Sequence, residues 1–97
     1  ILKVGRNTVM SKKALYDSLV EHIIENQNKF YRAAFYYVKS KEAALDVVQN
    51  AICKALENYE KLQSSEAMAS WFYRIVINES LMYLRKEKKY IAWDENL

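Results

Sequence analysis

The chain has 97 residues, 52% of them hydrophobic, which suits one small domain with a core that must be used economically. Proline is absent and the one glycine is Gly5, so the rest of the chain lacks the residues of tight hairpins and glycine-rich phosphate loops, and an all-α fold is expected. A formal net charge of +3 is too mild to imply nucleic-acid binding by itself, and one cysteine (Cys53) with one histidine (His22) excludes an intrachain disulfide and a four-ligand zinc site.

Residues 1–11 are polar and basic, without a signal-peptide apolar run, and read as a leader that is either disordered or not native to the protein. No apolar stretch approaches the roughly 20 residues needed to cross a bilayer, so no membrane insertion and a cytoplasmic location are expected. Residues 12–38 repeat apolar side chains at Leu15, Leu19, Ile23, Phe30, Ala34 and Tyr37. The spacing predicts one long helix, weak in the middle at Glu25, Asn26, Gln27 and Asn28. Tyr31, Phe35, Tyr36 and Tyr37 widen its apolar side, and core packing is the simplest use for them.

Ser40 offers an N-cap to a second helix running to about Asn58, with Ala43, Ala44, Leu45, Val47, Val48, Ala51, Ile52, Ala55 and Leu56 on a broad apolar side. Its other side gathers Asp46, Gln49, Asn50, Cys53 and Glu57, with no basic residue. Such a stripe is what any amphipathic helix shows, and it also suits docking of a partner helix. Cys53 has no catalytic context and reads as a small packing residue.

A polar connector at residues 60–65 precedes a third helix from near Glu66 to Lys89. On that helix Arg74, Asn78 and Arg85 fall within roughly 40° of one another, with Lys89 a little beyond. Most of the circumference is apolar, including Trp71, Phe72, Tyr73, Ile75, Val76 and Ile77, so neighbouring helices must cover it. Arg85, Lys86, Lys88 and Lys89 concentrate positive charge at its end, which suits the helix macrodipole or a run of phosphates. Residues 12–90 are taken as the domain and 91–97 as the start of a linker or tail.

The sequence DVVQ at residues 46–49, with WFYRI at 71–75 followed by Asn78, resembles region two of the extracytoplasmic-function sigma factors of bacterial RNA polymerase; the likeness covers about residues 15–89. It implies a compact bundle of three long helices. It also implies that Asp46, Gln49 and Asn50 make polar contacts to the clamp helices of the polymerase core, with Ile52 and Leu56 adding apolar ones. The family usually has an acidic residue, a phenylalanine, and a tryptophan or tyrosine where Asn50, Ile52 and Leu56 stand. By the same resemblance, residues 60–70 form a loop that captures an unstacked non-template base of the promoter minus-10 element, with Met68 and Asn78 beside it. Arg74, Arg85, Lys86, Lys88 and Lys89 would meet phosphates. Implied partners are core polymerase, promoter DNA and an anti-sigma factor; no cofactor, metal or catalytic chemistry is implied. The rival readings are a helical protein-interaction module without a DNA role and a small enzyme, for which no paired nucleophile and base are visible.

Overall fold

The computed structural model describes the backbone of residues 11–95 and the side-chain surroundings of residues 11–89. Among the described residues four helices follow one another: α1 (Lys12–Glu25), α2 (Gln27–Val38), α3 (Lys41–Glu57) and α4 (Met68–Glu95). Two short 3-10 turns, Tyr59–Lys61 and Ser65–Ala67, join α3 to α4, and no strand occurs among the described residues. The expected leader lies outside the described residues apart from Ser11, and so do the last two positions of the expected tail.

The fold is all-α as expected, but the single helix predicted over residues 12–38 is two. The break falls at Asn26, inside the polar run. Its side-chain amide donates to the His22 carbonyl at 2.8 Å, and its backbone leaves helical geometry with φ −118° and ψ 21°. An asparagine competes in this way with the helix ladder for backbone carbonyls. The apolar repeat continues in register across the break, which is why periodicity alone joined the two.

The caps follow from residue chemistry. Ser11, Ser40 and Ser64 each accept a bond from the N–H three residues on, at 3.1, 3.2 and 3.3 Å, satisfying donors that a helix start leaves open. Helix α2 ends on Lys39 in the left-handed region, φ 60°, with its N–H bonded to the Phe35 carbonyl at 2.9 Å. That position favours glycine, and a lysine there costs on the order of 1 kcal/mol.

Helices α2, α3 and α4 pack mutually, while α1 lies against α3 and the first 3-10 turn. The buried side of α3 is Ala43, Ala44, Val47, Ala51 and Ala55. Side chains this small bring neighbouring helices close. Phe30 of α2 and Phe72 of α4, both fully buried, meet edge to face with ring centres 4.6 Å apart. Leu19, Ile23, Ala34, Val38, Leu62, Met68 and Val76 complete the core. Ser80 is also buried, its hydroxyl donating to the Val76 carbonyl at 2.9 Å.

Among the described residues one ion pair joins two of the helices. The Lys54 ammonium of α3 contacts the Glu79 carboxylate of α4, whose side chain is only 8% exposed, whereas that of Lys54 is about half exposed. Helices α3 and α4 run antiparallel: Lys54, late in α3, meets Glu79 in the middle of α4, while Asp46, nearer the start of α3, lies close enough to Tyr83, further along α4, for its charge to act on the phenol.

Replacing Phe72 by alanine should therefore cost about 3–5 kcal/mol of unfolding free energy, measured by urea denaturation, through lost burial and the cavity left against Phe30. Lys54→Met should cost about 1–3 kcal/mol by leaving the Glu79 carboxylate buried without a partner. Adding Glu79→Gln to Lys54→Met should recover part of that loss in a double-mutant cycle, and strictly additive effects would show that the pair is not coupled.

Candidate functional site

On α3, Asp46, Gln49 and Asn50 are exposed on one side of the helix, together with Cys53 and Glu57. Their exposure follows from the alanine line, which turns the helix so that its polar stripe faces away from α2 and α4. Ile52 and Leu56 are half-buried. With Gln49 they border an open apolar groove of about 330 Å³, whose other walls are Val20, Ile23 and Ile24 of α1, Tyr31 of α2, and Leu45 and Val48 of α3. Ile24 and Leu45 are 58% and 57% exposed, large apolar surfaces that the bundle leaves uncovered. Sequence reasoning counted Leu45 with the apolar side of α3 and missed Val20, Ile24 and Tyr31, because it takes tertiary packing to bring α1 and α2 alongside. The one local signal was that Leu45 sits next to Gln49 on the helical wheel.

The second arrangement is on α4. Arg74 and Asn78 are exposed, and so are Arg85, Lys86, Lys88 and Lys89. Asn78 borders a half-open cleft of about 310 Å³ between the end of α3 and α4, which also takes in Trp71, Ile75, Met82 and Glu79 of α4, Lys54 and Asn58, and Lys61 of the connector. The Asn58 amide is held by donation to the Lys54 carbonyl at 2.8 Å, and the Lys54 ammonium by Glu79. Met82 also borders a shallow depression formed by Arg85, Lys86, Lys88 and Lys89. The cleft and the basic end are thus one continuous surface along α4. Asn78 supplies a donor and an acceptor, Trp71, Ile75 and Met82 supply an apolar wall, and Lys54 and Lys61 bring positive charge to the rim. A flat ring with polar edges and an attached phosphate fits that chemistry. Trp71 was read from the sequence as part of the apolar side and of the WFYRI motif, and neither it nor Lys61 and Asn58 was named there as a contact residue.

Met68 differs from the expectation for it. It is the first residue of α4 and 5% exposed, within the core cluster with Phe72 and Val76. Met68, Phe72 and Val76 recur at every fourth position, so the three share the buried face, and Met68 is not available at the surface in this conformation.

The Tyr83 hydroxyl donates to the Glu87 carboxylate at 3.0 Å, and that bond, with desolvation and the negative charges of Glu87 and Asp46, holds the phenol above its ordinary range. Among the described residues no cluster of three or more His, Cys, Asp or Glu side chains is placed to hold a metal ion. None of the described helices is long and apolar enough to cross a membrane.

Comparison with known proteins gives the family. Residues 23–90 match the Sigma-70 region 2 family. The RNA polymerase sigma factor SigV of Bacillus subtilis (strain 168) is 43% identical over 77 residues, covering 79% of this chain and 46% of that protein. The chain therefore spans about half the length of the curated relative it matches. No solved structure matches. With its match extending from α1 through the core helices to the basic end of α4, this chain belongs to the Sigma-70 region 2 family.

Proposed function

We propose that this domain, of the extracytoplasmic-function type, binds core RNA polymerase and recognises and melts the promoter minus-10 element, and that it does so in the cytoplasm without catalytic chemistry of its own. The observation that carries the reading is the continuous α4 surface, in which an amide-bearing cleft opens directly onto four cations. Phosphate contacts fix register, while a base can be selected once it has left the stack and entered a pocket. Asn78 and Trp71 are the proposed base contacts, and Arg74, Arg85, Lys86, Lys88 and Lys89 the phosphate contacts. Met68 is assigned instead to supporting the loop from beneath.

The α3 surface is the proposed dock for the clamp helices of the polymerase core. Asp46, Gln49 and Asn50 form its polar rim, and Ile52 and Leu56, continued by Leu45 and Ile24, its apolar part; an apolar centre beside a polar rim is the usual anatomy of a protein interface. An anti-sigma protein would compete for the same surfaces. The domain's membership of a sigma-factor family makes a protein-interaction module with no DNA role the weaker reading.

Replacing Asp46 and Gln49 together by alanine should weaken binding to core polymerase in a titration, with thermal stability changed by less than about 0.5 kcal/mol because both side chains are exposed. Wild-type core affinity in that variant would remove the α3 stripe from the interface.

For DNA, two separable effects are expected in holoenzyme binding to single-stranded minus-10 oligonucleotides varied one base at a time. Asn78→Ala should alter preference at one base by roughly 1–3 kcal/mol. Changing Lys86, Lys88 and Lys89 to alanine should weaken all sequences alike and lower the slope of log affinity against log salt by roughly 2. An equal loss for every base in Asn78→Ala would mean that this amide only positions the backbone.

A further inference from the structure

We propose that the outer face of α2 is a second contact for single-stranded nucleic acid, extending the strand path away from the α4 cleft; it rests on the nucleic-acid reading above for the origin of that strand. Helix α2 contains no aspartate or glutamate, its charges being Lys29 and Arg32, and Lys39 caps its end. Its buried line is Phe30, Ala34 and Val38. On the helical wheel Arg32 and Tyr36 point directly away from that line, within roughly 40° of each other, with Lys29 beside them.

The aromatic residues of α2 are therefore not all core, as their number suggested in the sequence. Tyr36 is 68% exposed. The Lys39 ammonium lies 4.9 Å from the centre of the Tyr36 ring, carried there by the left-handed turn that a glycine would make more easily. At the other end of the face, the Lys29 ammonium lies 5.9 Å from the ring of Tyr73 on α4, itself partly exposed and adjacent in sequence to Arg74. Rings and cations thus alternate from Lys39 and Tyr36 through Arg32 and Lys29 to Tyr73 and Arg74. Among the described residues, none of Lys29, Arg32 and Lys39 is within salt-bridge distance of a carboxylate. Exposed rings interleaved with cations that face no carboxylate match a strand whose bases stack and whose phosphates need neutralising. Arg74, next in sequence to Tyr73 and on the Asn78 stripe of the same helix, leads from this face towards the proposed DNA surface.

The test uses holoenzyme formed with this protein and single-stranded oligonucleotides of two kinds: short ones confined to the minus-10 segment, and ones extended by roughly ten nucleotides on one side or the other. Extension should raise wild-type affinity on one side. The double change Arg32→Ala with Tyr36→Ala should abolish that gain, a loss of roughly tenfold or more, and leave short-strand affinity, core binding and melting temperature unchanged. Tyr36→Phe alone should keep the gain, since the ring face and not the hydroxyl is used. Changing Lys29, Arg32 and Lys39 to alanine should lower the salt slope by roughly 2 for the extended strand only. The proposal is overturned if extension adds nothing to wild type, or if the double variant binds the extended strand as wild type does. Weaker holoenzyme assembly with intact DNA binding would also overturn it, and would assign the face to a protein partner. Failure of the minus-10 reading registers elsewhere, as unaltered short-strand binding in the Asn78→Ala and basic-end variants.

Discussion

The closeness with which α3 lies against α2 and α4 is the constraint on which the other features depend. Ala43, Ala44, Ala51 and Ala55 offer almost no side-chain bulk, so the neighbouring helices approach across them. The large buried side chains come from those neighbours, and Phe30 and Phe72 interlock edge to face. A larger residue in the alanine line would have to push α2 or α4 outward, which close-packed interiors resist.

That economy has a consequence on the outside of α3. With alanines turned inward, its larger apolar residues Leu45, Ile52 and Leu56 lie at the flank or the surface, next to Asp46, Gln49 and Asn50. Helix α1, which ends at Asn26, supplies the other wall of the groove. An exposed apolar strip with a polar border is therefore a by-product of the way the core is built, and it is what a partner helix requires.

Helix α4 serves the core and the surface in different parts of its length. Through Leu84 it carries most of its buried residues, and from Arg85 to Lys89 every described side chain is exposed. Within the first part, Glu79 lines the cleft with a carboxylate that would repel a phosphate were it not neutralised by Lys54. The same contact joins α3 to α4.

Much of this was legible in the chain. The absence of proline, the near absence of glycine and the 3.6-residue apolar spacing determine an all-helical fold, and serines ahead of apolar runs mark where helices begin, because these effects act within a few residues. The polar stripe of Asp46, Gln49 and Asn50 and the basic end Arg85–Lys89 were visible for the same reason, and all of these residues are exposed. The break at Asn26 was signalled only as a weak middle, since the apolar period continues through it. What the tertiary structure alone decided was which apolar residues are covered. Met68 is in the core, whereas Leu45 and Tyr36 are at the surface. Helical spacing gives each side chain a direction around its own axis but not the position of the neighbour that covers it, and that depends on contacts between residues far apart in the chain, such as Phe30 with Phe72 and Lys54 with Glu79.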